Sequence, residues 1–311
     1  MASLRRRITA IALILLALGA CSSAPRRKDV TVVEKKNEAA QYTTFGNRSF
    51  AQGDYAGART FFEQALAANL SVDNQAGVVQ SLGSLGRVHA AVGELDEAEE
   101  LYGRAARLAA DLGDATLVAQ CSVNLGELLL RRDRAEEARS LLVAALAGSG
   151  AIAGSREVAL LQHTLAVAEK WLGNLDEAER LLLAALETNT KLRSTEDIAS
   201  NRYMLASVAS KRQDYAAAME HATLALEADK SVENSLGIAQ DLLALGIVST
   251  RLGRHGEAFA YLERSYGIYQ ALGSEAGRLE VLPYLAEAAR AAGLDAEASA
   301  YERLLQPASP K

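Results

Sequence analysis

A pattern of residues that returns every 40 positions constrains the fold of this chain more than any other feature of its sequence. The clearest copy runs from Val79 to Val118 and contains the stretch LGRVHAAVGELDEAEELYGRAARLA. Three positions show how closely the other copies follow it. One is always alanine: Ala58, Ala98, Ala138, Ala178, Ala218, Ala258 and Ala298. One is large and apolar: Phe45, Leu85, Leu125, Leu165, Leu205, Leu245 and Leu285. One is small: Gly46, Gly86, Gly126, Ala166, Ala206, Gly246 and Ala286. We therefore expect seven equivalent units.

Each unit predicts two amphipathic helices joined by a short turn. Gly86 lies in a first run of apolar residues with helical spacing, and Gly93 interrupts that run. A second run continues from Ala98 through Tyr102 to Ala105, at i, i+4 and i+7. Small residues are needed where two helix backbones approach closely, and large apolar ones where the gap between helices must be filled. A pair of helices this short cannot bury its own apolar face, so the units must stack on one another.

The repeated residues resemble the signature of the tetratricopeptide repeat family. The shared features are the Leu-Gly pair at 85–86, the turn glycine at 93, and the Ala-x3-Tyr-x2-Ala spacing from Ala98 to Ala105. The resemblance implies an all-α fold, a right-handed superhelical solenoid of about seven helix-turn-helix repeats over residues 38–305. The period of 40 exceeds the 34 residues usual in the family. The extra residues contain no regular helix breaker, so they predict longer helices.

Two further positions recur at the junctions between units. One carries residues that are mostly suited to a helix N-cap: Asn74, Asp114, Gly154, Ser194, Asn234 and Ser274. Two residues earlier, each junction carries an apolar side chain: Val72, Leu112, Ile152, Leu192, Val232 and Leu272. We expect the first set to begin helices and the second to make a closing apolar contact.

The segment 1–20 is typical of a secretory signal peptide. Three arginines at positions 5–7 precede an apolar run from Ile8 to Ala20. That run is shorter than the ~20 residues that span a bilayer as a helix. The run ends in Leu-Gly-Ala-Cys, which resembles the lipobox of bacterial lipoproteins, in which the cysteine, here Cys21, receives lipid and becomes the mature N-terminus. An ordinary signal peptide or an uncleaved anchor is the alternative.

The lipoprotein resemblance implies a place in the cell. Two or three acyl chains on Cys21 would hold the protein at a membrane without a transmembrane helix. By analogy with lipoprotein sorting, Ser22 after the cysteine favours the outer membrane, with the protein facing the periplasm. Residues 21–37 are short, polar and charged and predict a lipidated tether, with some attraction to anionic headgroups. Residues 306–311, with two prolines, predict a disordered tail.

Charge and composition exclude several classes of function. The net charge is −6, and the predicted signal peptide carries three of the basic residues and no acid, so the mature chain is more acidic still. An acidic, exported chain argues against nucleic-acid binding. None of the four histidines, His89, His163, His221 and His255, lies in a metal or catalytic motif. We therefore expect no enzyme, metal or cofactor, and we expect Cys121 to be a buried small apolar residue, with a redox role as the alternative.

Recognition of another molecule is the remaining class of function. In the family, the first helix of each pair lines a concave groove that touches the ligand. Carried over position by position, the resemblance selects these candidate groove residues: Arg87, Glu127, Arg131, His163, Lys170, Trp171, Tyr203, Lys211 and Arg251. The basic members form a ladder that suggests an acidic or carboxylate-bearing peptide. The alternative is that they only cap the last turn of each first helix, where the helix dipole favours cations.

These observations predict a membrane-anchored scaffold of the bacterial envelope that binds a peptide segment of another envelope protein. The competing hypothesis is an accessory component of an envelope transport, pilus or outer-membrane assembly system. In that case the groove would bind a small ligand, or the protein would regulate a cell-wall enzyme. A long open basic trough favours a peptide ligand, whereas a closed pocket favours a small molecule.

Overall fold

The computed structural model describes residues 31–305, which form fourteen α-helices and no strand. The helices are α1 Val32–Ala51, α2 Tyr55–Ser71, α3 Gln75–Val92, α4 Leu95–Leu112, α5 Ala115–Arg131, α6 Ala135–Ala147, α7 Arg156–Leu172, α8 Leu175–Leu192, α9 Thr195–Lys211, α10 Tyr215–Ser231, α11 Ser235–Arg251, α12 His255–Ala271, α13 Glu275–Ala291 and α14 Asp295–Leu305. Odd-numbered helices are the first and even-numbered helices the second of seven pairs. The predicted signal peptide, Cys21, most of the tether and the tail lie outside the described residues.

Each repeat consists of two similar halves, and each half is a helix followed by a turn. Most helices have 17 or 18 residues, which confirms the longer helices that the sequence predicts. A single residue with positive φ reverses the chain in each turn, and twelve of these recur every 20 positions: Gly53, Asp73, Gly93, Gly113, Asp133, Gly173, Arg193, Gln213, Glu233, Gly253, Gly273 and Gly293. Seven of the twelve are glycine, which adopts this conformation without strain.

The first helix begins earlier than the sequence pattern indicates. Thr31 is the N-cap of α1, and its hydroxyl accepts a hydrogen bond from the backbone N–H of Glu34 at 3.1 Å. The carboxylate of Glu34 in turn accepts the backbone N–H of Thr31 at 2.8 Å, which completes a capping box. Residues 32–37 are therefore helical, and the boundary of the tether at residue 37 is drawn too late.

The third repeat is irregular. Its second helix, α6, ends at Ala147 after 13 residues and is followed by a 3₁₀ turn at Ser149–Ile152. The sequence explains this ending, because Gly148 and Gly150 each disfavour helix by about 1 kcal/mol relative to alanine. The repeat register consequently shifts by one residue. Ser155 is the N-cap of α7, so the expectation that Gly154 would be the N-cap is wrong.

The other five junction residues expected to be N-caps are N-caps in the structure. The side chains of Asp114, Asn234 and Ser274 accept backbone N–H bonds of the following helix, whereas those of Asn74 and Ser194 make no such bond. The expected closing apolar contact is wrong in three repeats. Its residues at the ends of α4, α8 and α12 are more than 40% exposed, because each lies at the surface after the last packed turn: Leu112, Leu192 and Leu272.

The alanine repeated in every unit is completely buried, which confirms the packing register. All seven copies, from Ala58 to Ala298, have 0% exposure. Each helix packs on its neighbours along the chain, so the core runs continuously from one end of the solenoid to the other. Successive first helices also contact one another, whereas successive second helices within residues 31–305 do not. The first helices therefore form the inner, concave face.

Ion pairs connect the first five repeats to one another. At least one such pair crosses each of the first four junctions, and one example from each is Arg59–Glu94 at 2.8 Å, Arg132–Glu99 at 2.8 Å, Arg139–Glu169 at 2.8 Å and Arg212–Glu179 at 2.5 Å. Among the described residues, no ion pair crosses the junction between repeats five and six or between six and seven. No helix in this part of the chain is long and apolar enough to span a membrane.

Candidate functional site

A cleft of about 670 Å³ lies on the concave face of the C-terminal half of the solenoid. It crosses four successive first helices, α7, α9, α11 and α13. The residues that give it its character are Lys170, Tyr203, Ser207, Lys211, Leu243, Ile247, Arg251, Glu280 and Tyr284. Four candidate groove residues selected from the sequence meet here, and three of them are cationic. Because only one carboxylate opposes the three cations, the cleft is a basic site in an acidic chain.

The three cations of the cleft differ in how far the protein already uses them. Lys170 donates a hydrogen bond from Nζ to the hydroxyl of Ser207 at 2.8 Å. Lys211 donates from Nζ to the backbone oxygen of Lys170 at 2.7 Å. Burial lowers the pKa of the Lys170 ammonium, and the nearby positive charge of Lys211 lowers it further. Arg251 is exposed and makes no side-chain hydrogen bond or ion pair with residues 31–305.

Aromatic and aliphatic side chains form the rest of the wall. Tyr203 lies on α9 and Tyr284 on α13. The first helix between these two in the chain, α11, contributes Leu243 and Ile247. Burial raises the pKa of the Tyr203 hydroxyl, and the negative charges of Glu280 and Asp241 raise it further. The cleft thus combines three cationic groups with aromatic and aliphatic surface.

The basic ladder also caps helices, but across repeats. Arg131, Trp171, Lys211 and Arg251 occupy one repeat position, close to the end of each first helix. Arg131 donates to the backbone oxygen of Ala90, in the last turn of α3, at 3.1 Å, just as Lys211 reaches back to α7. The acceptor belongs to the first helix of the preceding repeat, so these cations join neighbouring repeats as well as complementing a helix dipole.

The N-terminal candidates form a separate, smaller cleft of about 160 Å³. Arg87 donates to the side-chain oxygen of Asn47 at 2.6 Å, and its guanidinium carbon lies 4.6 Å from the centre of the Phe50 ring. Burial raises the pKa of the Glu127 carboxyl, an effect that the charge of Arg131 opposes. Arg87 and Arg131 are thus engaged with groups of the protein itself. Arg87 also lines a second cleft of about 380 Å³.

Two candidates lie in neither cleft. His163 contacts Asn201 through Nδ1, at 2.7 Å from the side-chain oxygen, and burial lowers its pKa. Trp171 is 51% exposed and contributes to neither lining. Both sit on first helices as expected, but the structure does not bring them together with the other candidates.

Sequence reasoning missed several members of the main cleft that it could have found. Ser207 and Ile247 share the repeat position of Arg87, and Glu280 shares that of Gln80. Stepping by 40 from Arg87, which was already selected, reaches Ser207 and Ile247, whereas Glu280 is reached from Gln80, which was not. Tyr284 is different, because nothing in the pattern marks it. The other copies of its repeat position are Thr44, Ser84, Asn124, Thr164, Met204 and Ala244.

Other parts of the described chain offer less to a ligand. A cleft of about 730 Å³ beside α6 contains Glu169, which is buried and already accepts bonds from Arg139 at 2.8 Å and Asn174 at 2.7 Å. Burial raises the pKa of the Cys121 thiol to about 11, so the thiolate is scarce at neutral pH. No cluster of three or more potential metal ligands occurs within residues 31–305.

Comparison with known proteins identifies the architecture. Several solved structures share the fold. BtubC from P. vanneervenii is 22% identical with a TM-score of 0.56, over 77% of this chain and 92% of that one. A Rap protein complexed with competence and sporulation factor is 16% identical with a TM-score of 0.67, over 86% and 74%. Pseudomonas aeruginosa PilF is 18% identical with a TM-score of 0.53, over 79% and 97%.

At these identities the structural likeness shows the fold alone, and no curated protein sequence matches the chain. The family model described as tetratricopeptide repeat matches residues 38–111, 77–149 and 157–231, which together make up more than half of the chain. The matched segments follow the helix pairs of repeats one to five. The chain therefore belongs to the tetratricopeptide repeat family.

Proposed function

We propose that this protein is a scaffold that binds an acidic segment of a partner protein in the cleft across α7, α9, α11 and α13. Membership of the family indicates a protein–protein interaction scaffold, and the fold is typical of non-catalytic proteins. The observation that carries the finer proposal is that Lys170, Lys211 and Arg251 line one cleft together with Tyr203 and Tyr284. Cations and aromatic anchors in one desolvated groove are the elements of peptide recognition.

The dimensions of the cleft favour an extended peptide. Packed helices lie about 8–10 Å apart, so four successive first helices span about 30 Å. An extended chain of about nine residues covers that distance at ~3.3 Å per residue. The similarly folded Rap protein is complexed with competence and sporulation factor, which supports the use of this architecture to hold another molecule.

The test uses synthetic peptides that are long enough to span the cleft and carry aromatic side chains with either acidic, neutral or basic ones. Fluorescence anisotropy with the purified chain should show tighter binding of the acidic series. Arg251→Glu should weaken that binding by about tenfold or more, which corresponds to ~1.4 kcal/mol. Arg264→Glu makes the same charge change at an exposed position on the second helix α12 and should leave binding unchanged. Equal affinities for all three series, or equal losses in both variants, would reject the proposal.

A second candidate is a small anionic ligand, because the volume of the cleft lies within the ~300–1,000 Å³ range of small-molecule sites. The two candidates differ in how affinity depends on ligand length. In a peptide groove, affinity increases as the acidic peptide grows from about three to about ten residues, because the longer peptide contacts more of the basic side chains. A compact site saturates at the shortest peptide and is blocked equally well by a free dicarboxylate.

We further propose that the protein is a lipoprotein of the bacterial envelope, anchored through Cys21 in the outer membrane and facing the periplasm, where its partner is another envelope protein. The Leu-Gly-Ala-Cys sequence at residues 18–21, after a short apolar run, supports this. Cys21→Ser should move the protein from the membrane pellet to the soluble fraction. Cys121→Ser removes a buried cysteine from the repeat domain and should leave the protein in the pellet. Membrane retention of the Cys21 variant would contradict the anchor.

A further inference from the structure

At three of the repeat junctions, polar residues are buried at the same two repeat positions, one on each side of the junction. In the first, Asn69 on α2 donates from Nδ2 to the hydroxyl of Ser81 on α3 at 3.2 Å. The corresponding positions three and four repeats further along the chain carry Asn189 and Asn201, and Asp229 and Asp241. The Oδ1 atom of Asn189 and the Nδ2 atom of Asn201 are buried without a hydrogen-bond partner. An amide paired with a hydroxyl or a second amide has both donors and acceptors. Two carboxylates have acceptors only, unless one of them is protonated.

Asp229 and Asp241 form this carboxylate pair between repeats five and six. Asp229, near the end of α10, is 5% exposed, and Asp241, on α11, is 1% exposed. Asp229 accepts a hydrogen bond from the side-chain amide of Asn234 at 2.9 Å. The Oδ2 atom of Asp241 is completely buried and has no hydrogen-bond donor. A buried acceptor without a donor is costly, and a proton held between the two carboxyl groups supplies the missing donor.

The titratable groups that face this pair are also acids. Asp241 lies close enough to Tyr203 on α9 and Tyr269 on α12 to raise their pKa values, and Glu280 on α13 acts on the same two tyrosines. Burial, followed by the charge of and hydrogen bond to Asp229, raises the pKa of Asp241 to about 8. The Asp241 carboxyl therefore keeps its proton at neutral pH.

The pair occupies a junction that lacks other charged connections. Ion pairs cross each of the first four junctions, but none of the described residues forms one across the fifth. The basic cleft lies over this same junction, because Tyr203 and Lys211 come from repeat five and Arg251 from repeat six. A change in how these repeats pack would alter the spacing of the residues that line the cleft.

We propose that Asp229 and Asp241 bind a single proton that holds repeats five and six together, and that release of this proton loosens the junction beneath the cleft. Proton binding follows from the buried pair alone and does not require the proposed function. Only the consequence for ligand binding rests on that function. The protein is then a scaffold whose cleft is well formed at neutral and mildly acidic pH and less well formed in alkaline conditions.

The raised pKa of Asp241 decides whether the stability of the fold increases or decreases with pH. The folded pKa of Asp241 lies above the value of 3.8 for an unburied aspartate, so the folded chain keeps a proton that the unfolded chain has released. Stability is therefore fully present below about pH 4 and is lost as the pH rises towards about 8. Above that pH both states are deprotonated and the loss is complete.

The first experiment compares urea unfolding of the full chain at pH values from about 5 to about 9. Asp241→Asn supplies a permanent N–H donor, so the variant should lose the corresponding pH dependence and become more stable than the wild type above about pH 8. The difference in slope should equal about one proton per molecule between about pH 5 and about pH 7. Asp229→Asn should behave in the same way, which guards against a local defect in one variant. Glu227→Gln, an exposed carboxyl on α10, should retain the wild-type profile. Identical slopes in the wild type and both asparagine variants would overturn the proposal.

The second experiment measures binding of the acidic aromatic peptide to the same proteins at about pH 6 and about pH 9. A larger loss of binding at the higher pH in the wild type than in Asp241→Asn supports coupling between the junction and the cleft, because any loss of charge on Lys170 is common to both proteins. The same pH dependence of binding in both proteins overturns that coupling. If no protein binds the peptide at either pH, the proposed function fails, and the unfolding comparison still decides whether the pair holds a proton.

Discussion

Gly126 and Gly246 occupy the same position in two repeats, yet alanine should affect stability in opposite directions at the two sites. Each glycine lies in a first helix and faces a leucine on the second helix of its own pair. A Cβ at Gly126 would lie 3.0 to 3.1 Å from the two methyl groups and Cγ of Leu142. A Cβ at Gly246 would lie 2.4 Å from Cγ of Leu262, which is the branch point of that side chain. The first contact is tight, and the second is impossible without movement.

The expected magnitudes follow from two opposing effects. Alanine is favoured over glycine in a helix interior by about 1 kcal/mol. At Gly126 the leucine has to shift by only a few tenths of an ångström, so most of that gain should remain. At Gly246 the helices themselves must separate, and overpacking of a core costs typically ~1–3 kcal/mol. We therefore expect Gly126→Ala to stabilise the protein by up to about 1 kcal/mol and Gly246→Ala to destabilise it by about 0–2 kcal/mol.

The natural sequence contains an internal precedent. Ala166 occupies the same repeat position and is completely buried, and the matching leucine position of its second helix carries the buried Leu182. The alanine and leucine combination is thus compatible with this helix pair. Urea unfolding followed by circular dichroism provides the midpoints, and the slope of each transition checks that the unfolding unit is unchanged. Equal effects of the two alanines, in sign and size, would show that the helix separation does not control this position.

Three further predictions concern single side chains. Ala138→Glu should place an unpaired charge at a position with 0% exposure and lower the melting temperature sharply, whereas Ala144→Glu on the exposed side of α6 should change it little. Glu233→Gly should stabilise the protein by roughly 1 kcal/mol, because Glu233 has a φ of 57° that glycine adopts freely; a lower unfolding midpoint would refute this. Burial lowers the pKa of His163, so stability should be lost as the pH falls below about 6.5; His163→Gln should reduce this loss between about pH 7 and about pH 5 in urea titrations, and an unchanged profile would contradict it.

Most of the fold could be predicted because the information is repeated. Ala98 and its six counterparts identify one buried face, and Gly93 marks the turn, so the helix pairs follow from spacing alone. The exposure of Leu112 could not be predicted in this way, because an apolar residue at a helix end has the same sequence pattern whether or not another helix covers it. The start of α1 depends on one local capping box at Thr31, outside the repeat pattern.

The candidate site could be predicted less completely than the fold. The sequence indicates which residues lie on first helices, and the structure places four of them in one cleft. The pitch of the solenoid decides which of the candidate side chains come together, and that pitch results from packing across all the junctions. The pair of Asp229 and Asp241 illustrates the limit. In the sequence these are two ordinary acids on either side of a turn, and only the packing of α10 on α11 reveals that both are buried.

The proposed ligand binding and the capping of helices involve different members of the basic ladder. Arg131 and Lys211 each donate to a backbone oxygen of the preceding first helix, so part of their hydrogen-bonding capacity is used within the protein. Lys211 occupies the same repeat position as Arg251, one repeat earlier, and yet Arg251 makes no comparable bond with residues 31–305. A guanidinium that lines a cleft with its donors uncommitted can bind a carboxylate at little cost to the fold, because no internal contact has to break. At this one repeat position, Arg131 and Lys211 therefore help to hold the solenoid together, whereas Arg251 is the residue best able to bind a partner. We expect the affinity for the proposed partner to depend on Arg251.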